Sequence, residues 1–138
     1  VSEYAKPLPR GEHYHGAFYD YCKQHELRFQ RCSDCQTWRH MPRESCHHCG
    51  SFNWTWERSG GRGKIFSWTV VHRALHPGFN DEIPYAVVVV ELDEGVRVVS
   101  HVIGLDIVDL RVGLPVKVVF EDVTPDTTLH KFRPVSSA

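Results

Sequence analysis

Residues 32–49 read CSDCQTWRHMPRESCHHC, two C-x2-C pairs with ten residues between them. Each pair can chelate a metal from one tight turn, and two such turns facing each other across a short ribbon complete a tetrahedron of thiolates. Cys32, Cys35, Cys46 and Cys49 are therefore the expected metal ligands, with one zinc ion per chain as the expected cofactor. Four thiolates leave no open coordination position, so this zinc is expected to be structural and not a Lewis acid. Iron satisfies the same ligand set. His47 and His48 lie inside the second pair, but with all four thiolates available they read as exposed knuckle residues.

Outward from this motif, Leu27 and Phe29 alternate with Arg28 and Gln30 and lead into the first knuckle. Trp38 to His40 runs between the knuckles, and Phe52, Trp54 and Trp56 alternate after the second, which gives three strands of a ribbon. Upstream, Phe18, Tyr21, Cys22 and His25 recur at helical spacing from Glu12 to about His25. Residues 1–11 show no periodicity and read as an extended arm. Downstream, SGGRGK at 59–64 reads as a linker because clustered glycines relax the backbone. Five segments rich in β-branched and aromatic residues follow it: 64–73, 85–92, 96–103, 116–123 and 129–133. DEG at 93–95 signals a hairpin, and the run Val87–Val90 reads as a strand covered on both faces. Residues 106–115 have room for a turn or so of helix. The expected fold is mainly β: an N-terminal arm and helix over 1–26, a rubredoxin-like zinc ribbon over 27–58 and a five-stranded OB-fold barrel over 59–138.

The 138 residues carry sixteen Lys and Arg against seventeen Asp and Glu, a net charge of −1. Up to Arg58 there are eight basic and seven acidic residues, and beyond it eight and ten. Arg28, Arg31, Arg39 and Arg43 with Trp38 make the ribbon locally basic, yet the acidic barrel half argues against a nucleic-acid groove. The absence of an apolar run of about 20 residues argues against a membrane span. The N-terminus VSEYAKPLPR does not read as a secretory signal, and the paired cysteines favour metal over disulfides, so a cytoplasmic protein is expected.

For catalysis one looks for a nucleophile with a base, paired carboxylates or an open metal. Cys22 and His25, one helical turn apart, are expected to be buried packing residues, and Asp93 and Glu94 to serve the hairpin. His13, His15, His72, His76, His101 and His130 read as scattered surface histidines. Arg62 and Lys64, with Arg73, His76 and Phe79 of the loop 73–83, form a candidate set for the phosphates and adenine of coenzyme A; solvated loop charges are the plainer reading.

The succession FYDYCKQHELRFQRCSDC (18–35), MPRESCHHCGS (41–51), GGRGKIFSWTVVHR (60–73), PYAVVVVELDEGVR (84–97) and VGLPVKVVFEDV (112–123), ending in Phe132-x-Pro134, resembles the zinc-ribbon and OB-fold family long labelled domain of unknown function thirty-five. Tyr19 and Gln36 stand where many members carry Trp and Gly. The resemblance covers nearly the whole chain. It implies a non-catalytic partner of a thiolase-like enzyme, a thiolase, lipid-transfer-protein-type thiolase or aldolase acting on a steroid, fatty or aromatic acyl-CoA. With a two-fold symmetric thiolase-like homodimer the assembly would be a heterotetramer, with an adjacent hydratase as a further partner. Phe18, Tyr19, Trp38, Trp54 and Trp56 are the expected partner interface, since so small a ribbon has little core for that many rings. The alternative is a stand-alone barrel binding acyl-CoA or single-stranded nucleic acid.

Overall fold

The structure, a computed structural model, describes residues 4–135; the first three residues of the expected arm lie outside that range. One helix, α1 (His13–Lys23), precedes a ribbon of three antiparallel strands, β1 (Arg28–Cys32), β2 (Trp38–Arg39) and β3 (Trp54–Arg58), in the order β2-β1-β3. A second antiparallel sheet follows: β4 (Arg62–Val71), β5 (Tyr85–Leu92), β6 (Arg97–Ser100), β7 (Pro115–Thr124) and β8 (Thr127–Pro134), in the order β6-β5-β4-β7-β8. Its two ends meet where Val102 bridges Phe132 in parallel and the N–H groups of Phe132 and Ile103 bond to the carbonyls of His101 and Phe132 at 2.9 and 2.8 Å. The sheet is thus a nearly closed five-stranded barrel, the expected OB-type architecture. None of the described helices is long and apolar enough to cross a membrane.

α1 presents Phe18 and Cys22, four residues apart, to the interior. It stops two residues before the expected end because His25 takes up a left-handed conformation (φ 60°), with the Glu26 N–H returning 3.0 Å to the Tyr21 carbonyl. His25 is consequently exposed, stacks on Phe120 and places Nε2 3.0 Å from Asp122, so its expected burial beside Cys22 is corrected. Phe18 and Cys22 of α1, Phe29 of β1 and Ile65, Val90 and Phe132 of the barrel belong to one continuous core. Burial of each such large side chain stabilises by about 1.5–3 kcal/mol, so this core binds helix, ribbon and barrel together.

The stretch 59–64 differs from a loose linker. β3 ends at Arg58 and β4 begins at Arg62, and the elbow between them is pinned. The Ser59 N–H bonds to the Leu27 carbonyl at 2.8 Å, its hydroxyl donates to Glu94 at 2.5 Å, and the Gly60 N–H reaches the other Glu94 oxygen at 3.1 Å. A side chain at Gly61 (φ 72°) would place Cβ 2.3 Å from Val118 Cγ1, and one at Gly63 would place it 2.3 Å from the Glu91 carbonyl. Gly63 is thus required by close approach, and Gly61 by close approach together with its left-handed backbone. The Glu94 carboxylate therefore serves the elbow.

The valine run is also covered less than expected. Val88 and Val90 are fully buried, whereas Val87 and Val89 are half-buried and Val99, paired with Val89, is 60% exposed. One face of β5 fills the barrel, and the other is only partly roofed.

Candidate metal centre and flanking sites

The four cysteine sulfurs lie within 4.8 Å of one another, with Cys32 to Cys49 and Cys35 to Cys46 both at 3.6 Å. Sulfurs about 2.3 Å from a tetrahedral zinc stand about 3.8 Å apart, so the donor set fits one such ion. The backbone prepares it. The Cys35 N–H points at the Cys32 sulfur and the His48 N–H at the Cys46 sulfur, each at 3.4 Å. Each knuckle closes through a left-handed residue, Gln36 (φ 66°) in the first and Gly50 (φ 78°) in the second. Asp34 clasps the two turns together through the Ser51 hydroxyl and the Asn53 side chain at 3.3 Å.

These contacts set the thiol chemistry. Hydrogen bonding from the Cys35 N–H lowers the Cys32 pKa, and the Cys49 N–H does the same for Cys46. The Thr37 hydroxyl and N–H bring Cys35 down to about 7. Cys49 gains a lowering bond from the Ser51 N–H, which desolvation and the three neighbouring sulfurs outweigh, leaving it at about 12. A site that favours thiolates but crowds the fourth asks for a cation at its centre. His47 and His48 are exposed, as knuckle residues should be.

The other sequence candidates are distributed differently. Cys22 is fully buried and burial pushes its thiol up to about 12, so with His25 turned away it forms no nucleophile–base pair. Arg62 and Lys64 lie at the first end of β4, while Arg73, His76 and Phe79 lie beyond its last residue, about 30 Å away along an extended strand. The five do not converge on one coenzyme, which corrects that set. Phe79 stacks on Tyr85 at 5.0 Å, and His76 Nδ1 accepts the Gly78 N–H.

The expected interface rings are largely consumed within the chain. Phe18 is core. Trp54 meets Tyr14 edge-on at 5.3 Å and Trp56 at 5.5 Å, Trp56 meets Tyr21 at 5.7 Å, and Tyr19 meets Phe18 at 5.3 Å. Trp38 carries the Arg31 guanidinium at 5.1 Å, and Trp54 the Arg39 guanidinium at 5.6 Å. The large side chains left in solvent are others, Phe52 (72% exposed), Met41 (53%) and Phe66 (41%) among them.

Two histidines are shut into the interior, one of them expected on the surface. His130 has both ring nitrogens shut off from solvent and without a hydrogen-bond partner, and His40, unremarked in the sequence, is in the same position at Nδ1. Both pack around Phe18, at 5.3 and 5.0 Å. Burial drives each down to about 4, with neighbouring histidines adding to the effect. Alternation along β8 was the available signal, since Thr128, His130 and Phe132 share a face on which the flanking two are buried.

Comparison with known proteins matches residues 20–55 to the family described as ChsH2, rubredoxin-like zinc ribbon domain, and residues 56–121 to ChsH2, C-terminal OB-fold domain. The chain is 38% identical over 129 residues to a probable enoyl-CoA hydratase alpha subunit of Thermomonospora curvata. It is 36% identical over 117 residues to the 3-oxo-4,17-pregnadiene-20-carboxyl-CoA hydratase alpha subunit of Mycobacterium tuberculosis. These alignments take in 94% and 85% of this chain but only 40% and 36% of the relatives, so the chain spans about two-fifths of their length. A DUF35 domain-containing scaffold protein of Methanocaldococcus jannaschii is 30% identical, with 78% of this chain and 80% of that protein covered. Among solved structures, a chain of the Ltp2-ChsH2(DUF35) aldolase superposes with a TM-score of 0.81 at 37% identity, covering 94% of this chain and 98% of that one. Carrying the ribbon and the barrel in the same order and over the same span, the chain belongs to the DUF35 family in its ChsH2 form.

Proposed function

We propose that the chain is a non-catalytic auxiliary subunit that binds and stabilises a thiolase-like enzyme of acyl-CoA metabolism. The observation that carries this reading is the likeness, over 94% of this chain and at 37% identity, to a chain of the Ltp2-ChsH2(DUF35) aldolase. The relatives named scaffold protein and hydratase alpha subunit support the same setting, and the hydratase names support an acyl-CoA such as a steroid acyl-CoA as the partner's substrate. The site chemistry is consistent with an auxiliary role. Four thiolates make a closed, structural metal centre, and the candidate Cys22–His25 pair is not assembled. The residues proposed to meet the partner are Phe52, Met41 and Phe66 in place of the packed tryptophans, because exposed apolar side chains of this size mark partner surfaces.

Against a two-fold homodimer, one auxiliary chain per catalytic subunit gives a heterotetramer. Co-expression with a thiolase-like gene from the same genome, followed by size-exclusion chromatography with light scattering, tests the reading. The expected result is one co-eluting assembly of that mass, weakened by Phe52→Ser with zinc retained. Separate elution of two folded proteins overturns it. A stand-alone nucleic-acid binder is disfavoured by the ribbon arginines, since Arg31 and Arg39 are already spent on Trp38 and Trp54.

A further inference from the structure

The barrel has an end that is poorly plugged. Between β6 and β7 the chain makes only one 3-10 turn, Ile107–Asp109, and a cavity of about 310 Å³ remains beneath it, within the usual range for small-molecule sites. One wall is aliphatic, built by Ile103, Leu105, Ile107 and Leu110. The lining also includes the stacked pair Phe79 and Tyr85, with Tyr85 edge-on to His101 at 5.6 Å. Lys6 of the N-terminal arm closes one side, its ammonium 5.4 Å from the Phe79 ring centre and 2.9 Å from Glu82.

The polar groups of this cavity are unequal. Lys131, whose side chain is only 12% exposed, has its ammonium 2.8 Å from Glu121. An ammonium carries three N–H donors, and among the described residues no second acceptor is bonded to this one. His101 Nδ1 lies 3.0 Å from the Ala86 carbonyl. A carbonyl can only accept, so Nδ1 carries the proton and Nε2 is left with a free lone pair. Burial lowers the His101 pKa, and the Lys131 and Lys6 charges add to this while Glu82 opposes it. Lys6 is paired with Glu82 and Lys131 with Glu121, so the cavity offers no net charge but the N–H donors that Lys131 has not spent on Glu121. A ligand suited to such walls has an apolar body and a small head that accepts from these donors and carries at most one negative charge; a phosphate dianion would bring more charge than two paired lysines can meet and leave the aliphatic wall without a partner.

We propose that this cavity binds a straight-chain aliphatic monocarboxylate, its chain between the Phe79–Tyr85 pair and the Ile103–Leu110 wall and its carboxylate on Lys131 and His101. The carboxylate accepts a hydrogen bond from the Lys131 ammonium, and its charge draws a proton from solvent onto His101 Nε2. The inference concerns the chain by itself and is independent of the partner reading.

The test titrates the zinc-loaded full chain, labelled with nitrogen-15, with octanoate, 1-octanol and octylammonium. Octanoate is expected to give saturable shifts at Ala86, His101 and Ile103, to bring the His101 ring nitrogens to an imidazolium pattern, and to bind about tenfold more tightly than octanol. Octylammonium is expected to bind more weakly than either. Lys131→Met should erase the preference for octanoate over octanol, and Leu110→Trp, which fills the cavity, should weaken both. Equal affinity for octanoate and octanol in the unaltered chain, or shifts confined to residues outside the cavity, overturns the proposal without recourse to any variant.

Discussion

Removal of the Glu94 carboxylate tests whether the ribbon and the barrel are one mechanical unit. In the structure this side chain accepts from the Ser59 hydroxyl at 2.5 Å and from the Gly60 N–H at 3.1 Å, and the same hydroxyl accepts the Gly61 N–H at 3.0 Å. Ser59 is only 6% exposed, so Glu94→Ala leaves a buried hydroxyl proton without an acceptor. A hydrogen bond to a charged group contributes about 1.5–3 kcal/mol. The Gly60 bond lies in solvent and counts for less, which places the expected loss at about 2–4 kcal/mol. Glu94→Gln should lose about half of that, because one amide oxygen can still serve Ser59 while the amide nitrogen presents a donor to the Gly60 N–H. Urea unfolding would be followed by tryptophan fluorescence and, in parallel, by zinc release to a chromophoric chelator. Since Phe29 of the ribbon and Phe132 of the barrel lie in the same core, both probes should shift together. A loss below about 0.5 kcal/mol, the ordinary effect of a surface substitution, would refute the pinned elbow. A shift in zinc release alone would refute the shared core.

Metal analysis should find about one zinc per chain, and Cys46→Ser should lose it and unfold the ribbon, since the binding energy of so small a module is its folding energy; zinc-free protein with unchanged ribbon spectra would contradict this. His130 and His40 titrate at about 4 when folded and near 6.5 when unfolded. The unfolded chain thus binds more protons between those values, and stability should be whole above about pH 6.5 and fall as pH drops toward 4, by up to about 3 kcal/mol per histidine. His130→Phe should flatten that part of the profile in urea titrations against pH, and an unchanged slope would argue that His130 takes up its proton equally in both states. At the first knuckle, Gln36→Val should cost about 1–2 kcal/mol because a β-branched residue is strained at positive φ, whereas Gln36→Gly should not. Zinc competition with a chelator of known affinity would register the difference, and equal losses in the two variants would dismiss the strain.

The knuckles were legible because their chemistry is local. C-x2-C fixes two ligands within one turn, and no distant residue has to be known. The barrel strands were legible for a similar reason: β-branched runs bounded by Gly and Pro announce themselves, and the hairpin turn at Gly95 (φ 96°) is written in DEG. The elbow was not legible. Glycine clusters are as compatible with close approach as with slack, and only the positions of Val118 and Glu91 across the sheet distinguish the two.

The packing of the aromatic rings was less legible, for a deeper reason. Counting rings in the ribbon half leaves two readings open, an exposed patch or burial between helix, ribbon and barrel, and the count alone does not choose between them. In fact α1 lies against the ribbon, and Tyr14, Phe18 and Tyr21 take up Trp54, Phe29 and Trp56 in edge-on and tilted pairs. Aromatic residues that alternate on a strand and aromatic residues that recur on a neighbouring helix are partners for each other before they are partners for another protein. Phe52, by contrast, sits just before β3 begins, outside the register in which α1 covers the sheet, and Phe66 occupies the irregularity between Ile65 and Ser67 where β4 and β5 fall out of step. A bulge re-aims a side chain, and here it leaves an aromatic ring 41% exposed beneath the Arg97 guanidinium at 3.8 Å. The large apolar side chains left in solvent thus include ones that the regular periodicity fails to place, which is why a reading built on periodicity passed over them.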